Sequence, residues 1–216
     1  MPTTLNLGLI GAGRIGRVHA EHVAYRIPNA RTLIVADVDE AAAQRCADDF
    51  RINFAVNDYR PILESPAIDA VLICSATHTH AFLIQEAARA GKHIFCEKPI
   101  DHNLVVVDAA LKAADEAGVK LQIGFNRRFD ANYARVRDAI VQGEVGAPQL
   151  MHIISRDPAP PPIEYITVSG GIFLDMMIHD CDMARFLWDS EVTEVYAAGG
   201  VLIDPAIGEA GDLDTA

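Results

Sequence analysis

The sequence has few basic residues for its length. Eighteen Lys and Arg stand against 30 Asp and Glu, which gives a formal net charge of −12 at pH 7. Nucleic acids and anionic membrane surfaces are bound by basic stripes or patches that neutralise phosphates, and the chain shows no such stripe. We therefore expect neither nucleic acid nor a membrane as a partner.

Long apolar runs are also missing. The apolar runs that are present, such as LVVV at residues 104–107, fall far short of the ~20 residues that a membrane-spanning helix needs. The N-terminal stretch MPTTLNLGLIGAG lacks the basic start of a secretory signal. The four cysteines, Cys46, Cys74, Cys96 and Cys181, lie far apart without a CxxC pair. We interpret them as free thiols of a cytoplasmic protein.

Strand-like and helix-like stretches alternate regularly through the first half of the chain. LNLGLI, RTLIVAD, INFAV, IDAVLICS, KHIFCE and VKLQIGF are mostly apolar, and amphipathic helical stretches separate them. Continuous apolar strands alternating with helices are typical of a parallel sheet covered on both faces. The pattern predicts an α/β Rossmann domain, a doubly wound parallel sheet, over residues 1–123.

The pattern changes in residues 124–216. A helix is predicted over 130–143, a long alternating strand over 148–157, a proline-rich loop over 158–171 and another strand over 191–203. A helix followed by long strands predicts an α+β domain with an open sheet. Two strands are too few for a stable sheet, so we expect this domain to be incomplete, with an unpaired strand edge.

A glycine-rich turn follows the first predicted strand. GLIGAGRIG places Gly11, Gly13 and Gly16 in G-x-G-x-x-G spacing, and Asp37 ends the second strand. In a strand-turn-helix context this spacing permits a tight turn, a close approach to a pyrophosphate and close helix packing. Asp37 would accept hydrogen bonds from the ribose and repel a 2′-phosphate. Val38 follows it rather than an arginine, which favours NAD over NADP.

Further cofactor contacts are expected where the first helix begins and where the fourth and fifth strands end, because ligands of this fold bind at the carboxyl ends of strands. His78 and His80 form an H-x-H pair that a metal could use, but His80 more readily caps the following helix or lines the cleft. The remaining cofactor candidates are Arg14, Ile15, Ser75, Ala76, Thr77, His80, Glu97 and Lys98.

Asp175, His179 and Asp182 recur at i, i+4 and i+7 in the helical stretch DMMIHDCDMARFLW. At about 100° per residue this spacing stacks two carboxylates and an imidazole on one side of a helix. A buried ion pair is one interpretation of Asp175 and His179, and a metal site made of all three residues is another. Asp180 and Asp182 are interpreted as structural.

Four motifs together resemble the Gfo/Idh/MocA oxidoreductases, most closely their inositol 2-dehydrogenase branch: GLIGAGRIGRVHA, CEKP, GFNRRFD and GGIFLDMMIHDCDMARFL. The resemblance extends from about Leu5 to Val201. It implies a dinucleotide domain followed by an open-sheet domain that packs against another subunit, and hydride transfer from a polyol or sugar alcohol to NAD. It also implies that Lys98, Asp175 and His179 are the catalytic residues.

Hydride leaves a carbinol carbon only as the hydroxyl proton departs, so a base must lie within hydrogen-bond reach. His179 titrates near working pH, and Asp175 would orient its ring. Lys98 would stabilise the developing alkoxide or take the proton itself, so the identity of the base stays open. Asn126, Arg127 and Arg156 are the candidate substrate residues. An Arg of NRRFD would otherwise pair with an acid such as Asp130 or Asp157.

The chain ends where members of the family continue with further strands. Those strands carry much of the family's subunit interface, so we expect a homo-oligomer only for a full-length protein. Two functions remain open: an NAD-dependent dehydrogenase of inositol or a related polyol, and a non-catalytic nucleotide-binding protein on the same fold. An arginine in the cleft would equally suit a carboxylated sugar.

Overall fold

The structure is a computed structural model that describes residues 4–188 and 190–216. It divides into two compact units, residues 1–124 and residues 125–216. No helix in the described part of the chain is both long and apolar enough to cross a membrane.

The first unit is built on a six-stranded sheet with the strand order β3-β2-β1-β4-β5-β6. Every neighbouring pair is parallel. This order reverses direction between β1 and β4, as in the doubly wound dinucleotide-binding fold, and confirms the predicted fold class. The strands are β1 Leu5–Ile10, β2 Ala30–Ala36, β3 Phe54–Val56, β4 Ala70–Ile73, β5 His93–Cys96 and β6 Leu121–Ile123.

Five helices connect these strands. Asp39 caps the second by accepting hydrogen bonds from the N–H groups of Ala41 and Ala42, and Asn103 caps the fifth through the N–H of Val105. Such caps satisfy N–H groups that have no partner within the helix. The helices are α1 Arg14–Tyr25, α2 Glu40–Phe50, α3 Arg60–Glu64, α4 Thr77–Arg89 and α5 Leu104–Glu116.

Apolar side chains cover both faces of the sheet. One core cluster packs Leu9 and Val35 of the strands against Cys46 of α2. The other packs Ile73 of β4 against helices that include α4 and α5, with Ile84 fully buried. This double coverage explains the almost continuous apolar strands, and it fixes the loops at the carboxyl edge of the sheet.

The regular secondary structure in the described part of the second unit is helical. It begins with a 3-10 turn, Asn126–Phe129, and a π-helical turn, Phe173–Met177, runs directly into α8. The π turn corrects the expectation of a regular α-helix through Asp175, because its backbone bonds span five residues instead of four. The helices are α6 Ala131–Val141, α7 Ile163–Ser169, α8 Ile178–Trp188 and α9 Pro205–Glu209.

The predicted strands of the second unit are wrong. Among the described residues, 148–157 and 191–203 form no paired ladder, although Gly200 makes an isolated antiparallel bridge to Thr215. Side chains 151–156 still alternate between partly buried and exposed, so the pattern that predicted a strand is real. A strand also needs a neighbouring strand to bond its backbone, and the described part of the unit supplies none to these segments.

The proline-rich segment is not a loop throughout. It contains α7, which starts after Pro162 and stops at Gly170, whose φ is +86°. The preset backbone of proline suits a helix start, and glycine tolerates the left-handed conformation that ends a helix.

Candidate active site

A cleft of about 930 Å³ opens at the carboxyl edge of the sheet in the first unit. Its floor is formed where β1 and β4 end, between Gly11 and Ser75, with Asp37 and Val38 at the end of β2. Because β1 and β4 flank the point where the strand order reverses, the cleft lies where open α/β sheets bind their ligands.

The three glycines of the turn have distinct environments. Gly11 has φ +102°, and a Cβ there would lie 2.6 Å from the backbone of Cys74. A Cβ on Gly16 would lie 1.9 Å from the carbonyl oxygen of Gly11, whereas a Cβ on Gly13 would meet nothing within 4 Å. Gly11 and Gly16 therefore serve the turn and its packing, and Gly13 leaves space in the cleft that a side chain would fill.

Helix α1 presents its N-terminus at this turn. Gly13 is the N-cap, no side chain caps the helix, and the first turn contains no acidic residue. The first backbone N–H groups therefore keep their capacity to bind an anion, and the helix dipole favours negative charge there. Arg14, Ile15 and Gly16 form this first turn.

Asp37 links the glycine turn to the second strand. One carboxylate oxygen accepts from the N–H of Ala12 at 2.7 Å, and the other accepts from the N–H of Asp39 at 2.9 Å. A carboxylate oxygen has two lone pairs, so each keeps one for a ribose hydroxyl. The open space at Gly13, the uncapped helix and this carboxylate together fit NAD.

Ser75 and Ala76 line the cleft, and Thr77 starts α4 directly after them. The hydroxyl of Ser75 lies 2.6 Å from that of Thr79, which donates to the carbonyl of Ala76 at 2.7 Å. These bonds fix the loop after β4. Burial raises the pKa of the Cys74 thiol beside it, so this thiol stays neutral and acts as an apolar part of the cleft.

Sequence reasoning missed one wall of the cleft. Asn57, Tyr59, Arg60 and Phe82 line it, and the rings of Tyr59 and Phe82 meet edge to face with centroids 6.0 Å apart. The position of the loop after β3 could have indicated this wall. Strand β3 neighbours β2, so the carboxyl end of β3 lies at the same edge of the sheet as the cleft.

His80 does not line the cleft, and it does not cap α4, because the helix begins at Thr77. The residue is 2% exposed. Nδ1 lies 2.8 Å from the carbonyl oxygen of Pro99, and Nε2 lies 2.9 Å from that of Ser75. The expectation of a cofactor contact is corrected: His80 bonds the backbone of two loops from behind.

Glu97 and Lys98 follow β5 at the same edge of the sheet. Lys98 is half-buried, and the Lys98–Pro99 peptide bond is cis. The Glu97 carboxylate lies 2.7 Å from Nε2 of His19, on α1. Glu97 is thus held by a side chain to which the sequence analysis had assigned no role.

The second unit contains Asp175 and His179. Asp175 lies in the π turn and accepts a hydrogen bond from the Tyr165 hydroxyl at 3.0 Å. The His179 ring meets Phe125 edge to face, with centroids 6.4 Å apart. Across residues 4–188 and 190–216, no three His, Cys, Asp or Glu side chains are grouped to hold a metal ion.

Both arginines of the NRRFD stretch are ion-paired within the second unit. Arg127 contacts Asp180 and Ser155, and Arg128 binds Asp182 through two nitrogens at 2.5 and 2.8 Å. Their partners are therefore neither Asp130 nor Asp157. Asp130 instead caps α6.

Replacing Arg128 with methionine should destabilise the second unit, because the Asp182 side chain is only 9% exposed and would lose its countercharge. We expect a loss of about 1–3 kcal/mol in the free energy of unfolding. Urea unfolding followed by the fluorescence of the single tryptophan, Trp188, measures it. Arg135→Met is the control, since its pair with Glu144 is exposed and such pairs contribute about 0–1 kcal/mol. Equal losses would contradict the prediction.

Asn126 and Arg156 are exposed side chains of the second unit. Arg156 is exposed, whereas its neighbour Ser155 is partly buried, in line with the alternating exposure of residues 151–156. The cluster of Arg127, Asp180 and Ser155 therefore does not include Arg156.

Comparisons with known proteins agree with this architecture. Residues 5–125 match the oxidoreductase family model described as an NAD-binding Rossmann fold, and residues 133–216 match the GFO/IDH/MocA C-terminal domain. The inositol 2-dehydrogenase of Rhizobium meliloti is 51% identical over 98% of the chain, and the myo-inositol 2-dehydrogenase of Thermotoga maritima 48% over 98%.

Solved structures agree as well. A myo-inositol dehydrogenase from Corynebacterium glutamicum superposes with a TM-score of 0.91 at 41% identity, covering 98% of this chain and 62% of that one. A scyllo-inositol dehydrogenase from Lactobacillus casei, with bound NAD(H) and scyllo-inositol, gives 0.83 at 28% identity, covering 98% and 64%. The chain spans 63% of the length of both sequence relatives named above. The chain belongs to the Gfo/Idh/MocA family of oxidoreductases.

Proposed function

We propose that the protein is an NAD-dependent dehydrogenase that oxidises a secondary alcohol of a cyclic polyol or sugar, with inositol preferred. The observation that carries the proposal is the cleft of the first unit, where Gly13 leaves open space beside an uncapped helix and the Asp37 carboxylate. The relatives named inositol 2-dehydrogenase support the choice of substrate.

NAD, when bound, supplies the acceptor for the hydride. The protein must then remove the hydroxyl proton and stabilise the charge that develops on the oxygen. In this proposal His179 or Lys98 takes the proton, and Lys98 stabilises the alkoxide with its ammonium. Asp175, held by the Tyr165 hydroxyl, stabilises the imidazolium of His179.

Asn126, Arg127 and Arg156 are the proposed substrate contacts, because a polyhydroxylated ring needs several directed donors and acceptors. Asn126 and Arg156 are exposed and have side chains suited to hydroxyl groups. Arg127 is ion-paired with Asp180 through one guanidinium nitrogen, so it would donate hydrogen bonds to the substrate from its other guanidinium nitrogens.

The full-length protein is proposed to be a cytoplasmic homo-oligomer. Three of the four cysteines are buried free thiols, which suits a reducing compartment. Residues 191–203 expose Val195, Tyr196 and Leu202, an apolar surface that further strands or another subunit would cover.

The test is the appearance of NADH, followed at the absorbance band of the reduced nicotinamide. The chain and NAD are mixed in parallel with myo-inositol, scyllo-inositol, glucose and glucuronate, and NADH binding is measured separately by fluorescence. Turnover with an inositol is the expected result. Turnover with glucuronate alone would reassign the substrate to a carboxylated sugar. NADH binding without turnover on any of the four would overturn the dehydrogenase assignment of this chain and favour the non-catalytic alternative.

A further inference from the structure

The tripeptide Glu97-Lys98-Pro99 is held on both sides of its lysine by histidines from two different helices. His19, on α1, contacts the carboxylate of Glu97 at 2.7 Å. His80, on α4, contacts the carbonyl oxygen of Pro99 at 2.8 Å. Both histidines lie outside the residues to which the proposed function gives a catalytic role.

The contact before Lys98 is well enclosed. The Glu97 side chain is 16% exposed and that of His19 24% exposed. The His19 ring meets Phe95 edge to face at 5.0 Å, and a Cβ on Gly124 would lie 2.9 Å from the Glu97 carboxylate. The Glu97 backbone N–H also donates to the Ile73 carbonyl at 2.9 Å. Glu97 therefore has little freedom to move while His19 is in place.

The contact after Lys98 is buried. His80 is 2% exposed and sits between two carbonyl oxygens, that of Pro99 and that of Ser75. A carbonyl oxygen only accepts, so each contact is a hydrogen bond when the ring nitrogen concerned carries its proton. His80 thus joins the loop that carries Lys98 to the loop that lines the cofactor cleft.

We propose that His80 and His19 are positioning residues for Lys98: His80 acts through the Pro99 carbonyl and His19 through the Glu97 carboxylate. This inference rests on the proposed function for its catalytic consequence. A catalytic group that is displaced by about 1 Å loses up to ~100-fold in rate, and fixing both neighbours of a flexible lysine prevents that displacement.

The two ring nitrogens of His80 allow a matched test. Asparagine places its amide N–H near the position of Nδ1, so His80→Asn keeps the contact with Pro99 and loses the contact with Ser75. Glutamine reaches the position of Nε2, so His80→Gln keeps the contact with Ser75 and loses the contact with Pro99. Each variant buries one amide and loses one of the two contacts, so a merely structural role predicts equal effects.

Two readouts are measured on the whole chain. The first is kcat and the KM for NAD. The second is the rate at which acetic anhydride acetylates Lys98, determined by mass spectrometry with Lys112 and Lys120 as internal references. We expect His80→Gln to lower kcat on the order of 10-fold to 100-fold with little change in KM, and to change the acetylation of Lys98 alone. His80→Asn should keep the wild-type kcat and the wild-type acetylation rate of Lys98.

His19 contacts Glu97 through Nε2, so glutamine is its conservative replacement, whereas asparagine is the conservative replacement for the Pro99 contact of His80. His19→Gln should retain the wild-type Lys98 acetylation rate, and His19→Ala should change it. Equal behaviour of the two His80 variants, or Lys98 acetylation that none of the substitutions alters, would overturn the proposal. If neither His80 variant folds, the comparison of His19→Gln with His19→Ala tests the proposal. If the wild type shows no turnover, the acetylation pattern alone decides the positioning claim, and only the proposed function fails.

Discussion

Replacing Lys98 with methionine is expected to lower kcat for polyol oxidation by about 10²–10⁴-fold, the range that a positioned acid-base group contributes. Methionine keeps an unbranched apolar side chain of similar reach and removes the ammonium. The half-buried Lys98 lies at the carboxyl end of β5, in the same sheet that forms the cleft. Its charge should matter most when negative charge develops on the substrate oxygen, so the loss should appear in kcat rather than in cofactor affinity.

The measurement is steady-state NADH formation, combined with NADH binding by fluorescence. Lys112→Met is the control, because Lys112 is an exposed lysine on α5. A parallel loss of NADH affinity would make Lys98 a cofactor ligand instead of a catalytic group. A kcat within about threefold of the wild type would contradict the assignment, because a positioned acid-base group contributes far more.

The same assay separates Lys98 from His179 as the base. An imidazole ordinarily titrates near neutral pH. If His179 takes the proton, His179→Asn should abolish the limb of the kcat/KM profile near neutral pH. If Lys98 takes it, His179→Asn should leave the shape of the profile unchanged and lower only the rate.

The first unit was predictable because its signals are local. Apolar strands buried on both faces, glycines at fixed offsets and an acid at the end of β2 each follow from a physical demand within a few residues. The cleft contacts of Gly11, Gly13, Asp37, Ser75 and Ala76 follow from the same logic, since strand ends must meet at one edge of the sheet.

The failures involve contacts between residues that are distant in the sequence. His19 and Glu97 are 78 residues apart, and no spacing connects them. The alternation at residues 151–156 is a real burial pattern, but a strand also needs a paired neighbour, which no local pattern reveals. The π turn at Asp175 is only five residues long, which is too short for sequence periodicity to distinguish it from an α-helix.

Replacing Gly13 with valine should lower the NADH affinity on the order of 100-fold or more. The new side chain would occupy the space that the pyrophosphate needs. A Cβ at Gly13 meets no protein atom within 4 Å, and its φ of −69° and ψ of −171° suit any residue. The unfolding free energy should therefore fall by no more than the ~1 kcal/mol that separates a good N-cap residue from a poor one.

Gly16→Ala is the matched control, because it should have the opposite signature. Its Cβ would lie 1.9 Å from the Gly11 carbonyl oxygen, so α1 must move away from the turn, at a typical cost of about 1–3 kcal/mol. Urea unfolding and NADH titration of both variants give two numbers each. If Gly13→Val lowers the NADH affinity but not the unfolding free energy, Gly13 serves the cofactor. If Gly16→Ala lowers the unfolding free energy, Gly16 serves the packing of α1. A Gly13→Val protein that binds NADH like the wild type would show that the pyrophosphate does not lie over this turn.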